Sequence, residues 1–374
     1  MNTLQNPRLS VRAGSSYIPT LDGWRCIAIT LVLLAHTYAW LAFGTARLAA
    51  FLHYPGIANH IARSGTNGVN IFFCLSGFLI TTRLLDQGVT LETFYIRRAF
   101  RILPAALVYL AVVAALGLLG VIAVDSQQIV ASLLFYRNYL DTYGWYTGHY
   151  WSLSIEEQFY LMWPFVLAVA KIKRAHMLAL VGIFGVVIWR QMNWPLPDHV
   201  GYHHTGIRLD SILCGSVMAL SWSAVKPAVQ KAPRFVIPVA LAGFLLADLW
   251  SYELQGFTDF IQSVLICVLI ASTVANPAGW QSRILEYPLL TWVGRTSYSI
   301  YLWQELFLPP AFLHSVPTPH WQLPLRLFGA FFLAWLSYRF IERPMIAMGQ
   351  RIVAARKAKQ LAPDEAQLNL INSN

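Results

Sequence analysis

Trp24-Arg-Cys-Ile-Ala-Ile-Thr-Leu-Val-Leu-Leu-Ala-His36-Thr-Tyr-Ala-Trp-Leu-Ala-Phe-Gly44 is the stretch whose reading decides the fold class. A helix needs about 20 mostly apolar residues to cross about 30 Å of hydrocarbon, and this run supplies them. It is too long for the apolar region of a signal peptide and no cleavage site follows it, so it reads as a retained membrane span. Residues 1–20, with Pro7, Arg8, Arg12 and Gly14, are polar and read as a cytoplasmic N-terminal segment.

Nine comparable runs follow, at 66–85, 102–124, 151–170, 175–192, 207–225, 234–252, 258–275, 294–314 and 322–342. Together they predict an all-α polytopic membrane protein, a bundle of about ten transmembrane helices with both termini cytoplasmic. Residues 127–140 are apolar but short and contain Arg137, which places them on the outer surface or dipping in rather than crossing the membrane.

Composition excludes the main rival class. Of 374 residues, 57% are hydrophobic and 12% charged, against about 45 to 50% and about 25% in soluble domains. Mean hydropathy is +0.51. The net charge of +10 does not point to nucleic acid, because no basic patch interleaved with aromatics lies outside the apolar runs. The charge is topological instead. With ten spans and the N-terminus inside, all but Arg47, Arg63, Arg137, Arg190, Arg208 and Arg326 of the 27 Lys and Arg fall in cytoplasmic segments, as the positive-inside rule requires. Cys26, Cys74, Cys214 and Cys267 lie in apolar runs without metal-ligand spacing and read as small hydrophobes. Trp40, Trp145, Trp250 and Trp321, near span ends, read as interface belts. No metal site is expected. His199, His203 and His204 read as solvated loop residues.

Ionisable groups inside spans are costly and therefore functional candidates. Arg25 and His36 are 11 residues apart, which puts them roughly 16 Å apart along a helix and within about 20° of one face. Arg25 would sit at the inner surface and His36 beyond the midplane. The second cluster is Trp151-Ser-Leu-Ser-Ile-Glu156-Glu157-Gln-Phe-Tyr160. Glu156 falls about 7 Å below the outer end of its span and His36 about 12 Å below the end of its own, so the depths match. A carboxylate beside an imidazole fixes its tautomer and raises its basicity, as a general base requires. Adjacent helical residues diverge by about 100°, so one of Glu156 and Glu157 is expected to face a given neighbour. Third, Arg98 and Arg101 lie at i and i+3 before Pro104 and suit a cytoplasmic phosphate clamp. Arg208 and Asp210 open the sixth span on the outer side.

These motifs resemble, in order along nearly the whole chain, those of the acyltransferase-3 family of integral membrane acyltransferases. Leu21-Asp-Gly-Trp-Arg25-Cys-Ile-Ala with His36 looks like that family's first-span signature, and Gly68-Val-Asn-Ile-Phe-Phe-Cys-Leu-Ser-Gly-Phe-Leu-Ile80 like its second. Arg98 and Arg101 match its RxxR. His149 to Tyr160 matches its HxWSLSxEEQFY, Arg208-Leu-Asp210 its RxD, Gly294 to Trp303 its ninth span and Glu342-Arg-Pro344 its closing ERP. Asn70 stands where the family commonly has Asp, and Gln304 where a histidine often follows YLW.

The resemblance implies a membrane domain over 21–345 and a short cytoplasmic tail over 346–374 without the appended SGNH-type domain of some members. It implies O-acyl transfer, usually acetyl, from acyl-CoA to a hydroxyl of a carbohydrate or other hydroxylated acceptor, in the bacterial cytoplasmic (inner) membrane. His36 and Glu156 would be catalytic, with His36 either taking the acceptor proton or being acylated first. Arg25, Arg98 and Arg101 would hold the donor phosphates, and His149, Arg208 and Asp210 would line the acceptor side. Acyl-CoA is a co-substrate, and no bound cofactor is expected. Expected partners are the lipid bilayer, the acceptor, and a second copy or a glycan-assembly protein. The competing reading is a transporter with a proton or ion relay through His36 and Glu156.

Overall fold

The computed structural model describes residues 17–37, 57–86, 89–140, 142, 144–194, 201, 203–247, 254–310 and 320–372. Among them the regular structure is helical, without strands. The helices are α1 (Pro19–Thr37), α2 (Ile57–Leu85), α3 (Leu91–Leu118), α4 (Ser126–Leu133), α5 (Trp145–Gly148), α6 (Tyr150–Met192) and α7 (Thr205–Leu220). They continue with α8 (Trp222–Lys231), α9 (Val236–Ala247), α10 (Thr258–Ala275), α11 (Trp280–Leu285), α12 (Pro288–Phe307), α13 (Leu323–Ser337) and α14 (Arg343–Asn372).

Four stretches, Gly65–Leu85, Leu91–Leu118, Trp145–Met192 and Thr258–Ala275, are long and apolar enough to cross a membrane. A fifth, α7 with α8, meets the same test if the two are taken together across their 85° bend. The other expected spans are shorter here or run outside the described residues, as the first does beyond Thr37. α4, at eight residues, rises only about 12 Å and cannot cross.

Local chemistry shifts several boundaries. The Thr90 hydroxyl accepts from the Thr93 N–H at 3.1 Å and starts α3 well ahead of the apolar run at 102. Arg97, Arg98 and Arg101 therefore project from helix rather than loop. α6 is broken at Lys171, where φ is +59°. Gln158 before the break reaches Thr205, and Arg190 after it reaches Ile207, both at the start of α7. His176, close to the break, reaches Ser221 at the far end of α7. The two limbs therefore run antiparallel, folded back where Lys171, Lys173 and Arg174 break the apolar pattern.

α2 lies at the centre, against α1 on one side and α7 on the other. A Cβ at Gly77 would land on the Ile212 carbonyl, and one at Gly215 on that of Cys74. Glycine at both positions lets these two backbones touch, the small-residue contact by which membrane helices gain dispersion energy. Cys26, Cys74 and Cys214 are buried free thiols, and Cys267 is half-buried. Large apolar side chains such as Leu118, Val169, Met192 and Phe328 stand on the outside, as lipid contact allows.

A π turn over Tyr338–Glu342 joins α13 to α14. The segment expected as a polar tail is helical to Asn372, and it packs along α3, where Arg356 pairs with Glu92.

Candidate active site

A cavity of about 940 Å³ opens between α1, α2, α3, α6, α12 and the start of α14. Along α2 its lining runs from Val69 to Arg83, a rise of about 21 Å. Arg25, Arg83, Arg97, Arg98, Arg101 and Arg295 all line it, against the carboxylates of Asp22, Glu156 and Glu342. The sequence-predicted Arg25, Arg98, Arg101 and Glu156 thus meet in one chamber. At its inner part Ser152 Oγ and Tyr301 OH lie 2.6 Å apart, and Tyr301 also donates to the His149 carbonyl.

The arginines are not equivalent. Arg25 is held by Asp22 at 2.7 Å, whose other oxygen accepts from Tyr17. Arg98 is held on three sides: Glu156 lies 3.5 Å away, Glu157 3.4 Å, and the Tyr160 ring sits 3.6 Å from its guanidinium carbon. Both adjacent glutamates reach it, contrary to the expectation that one would face away, because a guanidinium offers separate Nε and Nη edges. Arg101 and the exposed Arg97 make no side-chain hydrogen bond or ion pair among the described residues. Within RxxR, then, Arg98 is an internal anchor, whereas Arg101 faces the cavity with Glu342 on the same wall and no hydrogen bond among the described residues.

Glu156 does not meet His36. Its carboxylate accepts from Ser76 at 2.8 Å and faces Arg98. His36 instead lies 2.7 Å through Nδ1 from Gln304 Oε1, with the Trp145 ring edge-on at 5.2 Å. The expected match in depth does not hold: α2 sets Gly65 against Ala35 and Gly68 against Ala28 and Val32, so Ser76, and Glu156 with it, lies toward the Arg25 end of α1 rather than level with His36. Trp145, expected in an interface belt, donates instead to the Glu305 carbonyl at 2.7 Å. Trp40, Trp250 and His199 lie outside the described residues.

The carboxylate–imidazole pair exists elsewhere. Glu305 Oε2 is 2.6 Å from His149 Nδ1 and also accepts the His149 backbone N–H. Tyr109, Tyr150 and Tyr301 stand edge-on round the imidazole. His149, expected in an outer vestibule, is buried at 2% exposure. Consecutive residues at the end of α12 therefore hold two histidines, one each.

Arg208 and Asp210 also differ from expectation. Both are fully buried. Arg208 pairs with Asp259 at 2.9 Å and donates to Asn70 at 2.6 Å. Asp210 pairs with Arg190 at 2.8 Å, and Arg190 also donates to the Gly256 and Ile207 carbonyls. Two cations and two carboxylates thus neutralise each other between α2, α6, α7 and α10, the arrangement that makes buried charge tolerable. Arg190, read as an outer-side charge, belongs to this core.

Sequence reasoning missed Glu305, Gln304, Arg190 and Asp259. Each was visible as a polar residue in or beside an apolar run. Glu342 was quoted only as part of a motif. It is buried, accepts from Ser299 at 2.9 Å, and the π turn carries it to the cavity wall.

With this geometry established, the comparisons take their place. The sequence profile of the acyltransferase-3 domain, described as an acyltransferase domain, matches residues 18–339, and the chain belongs to that family. It is 29% identical to the peptidoglycan O-acetyltransferase OatA of Listeria monocytogenes, over 90% of this chain and 57% of that protein. It is 28% identical to YrhL of Bacillus subtilis, provisionally named a peptidoglycan O-acetyltransferase, over 91% and 56%. The chain spans a little over half the length of these relatives. No solved structure matches it.

Proposed function

We propose that this chain is a membrane O-acyltransferase, moving an acyl group, acetyl by preference, from acyl-CoA to a hydroxyl of a carbohydrate or other hydroxylated acceptor. The observation that carries the reading is the arginine-lined cavity. A long chamber with guanidinium groups at one end suits a donor whose nucleotide is phosphorylated and whose pantetheine arm is narrow and extended. Arg101 and Arg97, which make no side-chain hydrogen bond or ion pair among the described residues, meet the phosphates, with Arg25, Arg83 and Arg295 adding to the field.

The arm then points toward Ser152 and Tyr301. A Cβ at Gly68 would meet Ala28 and Val32, and one at Gly65 would meet Ala35. The Val69 end of the cavity therefore lies near the Ala28 to Val32 level of α1, and His36 about one to two turns beyond it. His36 takes the acceptor hydroxyl's proton as the oxygen attacks the thioester carbonyl, and CoA leaves as its thiol. In the alternative order the acyl group passes through the imidazole. The relatives' names support a glycan acceptor, which fits transfer at the outer face of a bacterial cytoplasmic membrane. The relay reading is less favoured, since Glu156 and His36 have separate partners.

Arg101→Ala should weaken acyl-CoA binding about tenfold, a charge-assisted contact reduced by partial solvent screening. Isothermal titration of acetyl-CoA into the purified protein in detergent measures this, and unchanged affinity would move the donor site elsewhere. The proposed ten-span topology, with both termini cytoplasmic, has its own check. Reporters fused after Lys173 or Arg234 should read inside and one in 195–205 outside, and reversed signs beyond residue 140 would overturn it.

A further inference from the structure

Gln304 is wholly buried one turn before the end of α12. Its side-chain oxygen lies 2.7 Å from His36 Nδ1. Its amide nitrogen is buried and has no hydrogen-bond partner among the described residues. A buried N–H without a partner is destabilising, a cost that a leucine at the same place would not incur. Packing therefore does not account for a glutamine here, and the hydrogen bond to His36 is the one its side chain makes among the described residues.

We propose that Gln304 is a positioning residue for His36, holding the ring with its hydrogen on Nδ1 so that Nε2 is left as the basic nitrogen. The inference rests on the reading of His36 as the group that takes the acceptor proton. An imidazole has one donor and one acceptor nitrogen when neutral, and a carbonyl at Nδ1 selects the tautomer. Trp145 stands edge-on to the ring and is tied through its indole N–H to the Glu305 carbonyl. One end of α12 thus sets both contacts. Glu305, the neighbouring carboxylate, is engaged by His149. The group at Nδ1 is then a neutral amide, which orients the ring without placing a negative charge beside it. That suits a base which must start each cycle uncharged.

The test uses the full chain in detergent, with acetyl-CoA as donor and chitotetraose as acceptor, following CoA thiol release across pH. Gln304→Leu and Gln304→Met should lower kcat about ten- to a hundredfold, as loss of orientation does, with the KM for acetyl-CoA unchanged. Gln304→Glu should keep activity but move the acid limb of the kcat profile to higher pH by about one unit. A carboxylate at Nδ1 favours imidazolium, so the base is lost at a higher pH. A merely structural role would lower the folded fraction, read by thermal melting, and leave the limb in place.

Wild-type kcat in both apolar variants, or an unmoved limb in folded Gln304→Glu, overturns the assignment. His36→Ala is the control. Full turnover in that variant would sink the reading of His36, whereas a dead His36→Ala beside unaffected Gln304 variants would sink only the role of Gln304.

Discussion

His36→Ala is expected to abolish acyl transfer while leaving acyl-CoA binding close to that of the wild-type protein. General-base catalysis contributes about 10²- to 10⁴-fold, and no other described imidazole is placed to replace His36. His149 is locked against Glu305 and ringed by tyrosines. The donor contacts lie elsewhere: Arg25 is 11 residues back along the same helix, roughly 16 Å away, and Arg97 and Arg101 stand on α3. Loss of chemistry without loss of binding is thus the signature. It is measured as CoA release under saturating acetyl-CoA together with a binding isotherm. Turnover at the wild-type rate would remove His36 from the mechanism.

The second large effect concerns stability. Arg208→Ala should leave the Asp259 carboxylate without its 2.9 Å partner and the Asn70 oxygen without its 2.6 Å donor. Arg190 cannot replace both contacts. It lies 3.8 Å from Asp259 and is committed to Asp210 at 2.8 Å. Removing one member of a buried pair costs about 3 to 5 kcal/mol, because the survivor stays charged where water cannot reach. Set against a total stability of about 5 to 15 kcal/mol, that is a large fraction.

Arg208→Ala should therefore lower the melting temperature in detergent sharply and reduce the yield of monodisperse protein. Combining it with Asp259→Asn should recover part of the loss, since the orphaned charge goes too. If Arg208→Ala instead melts like wild type and only fails to use acceptor, Arg208 faces an outer pocket and the buried pairing described here is wrong.

What could be read from the sequence followed from local rules. Apolar runs of membrane length, few charges and the placement of Lys and Arg specify a helical membrane protein before any contact is known, because a backbone in lipid must satisfy its own hydrogen bonds. Ordered motifs identified the family, the rule of costly intramembrane charge singled out Arg25, His36 and Glu156, and the fit of paired guanidiniums to phosphate singled out Arg98 and Arg101.

Which of these polar groups meet was decided only by the tertiary structure. Counting residues from the span ends placed Glu156 level with His36, yet the axial offsets of the packed helices give Glu156 to Ser76 and Arg98, toward the Arg25 end of α1, and give His36 to Gln304. Residue number gives depth only relative to a helix's own end, whereas the axial offset between helices and the rotation of each follow from packing, from backbones that touch at Gly77 and Gly215 and from a fold-back at Lys171. The same packing drew Arg208 and Asp210 from an expected outer mouth into a neutral buried cluster with Arg190 and Asp259. A charge in a span announces that it needs a partner. Only the three-dimensional arrangement of the helices names the partner.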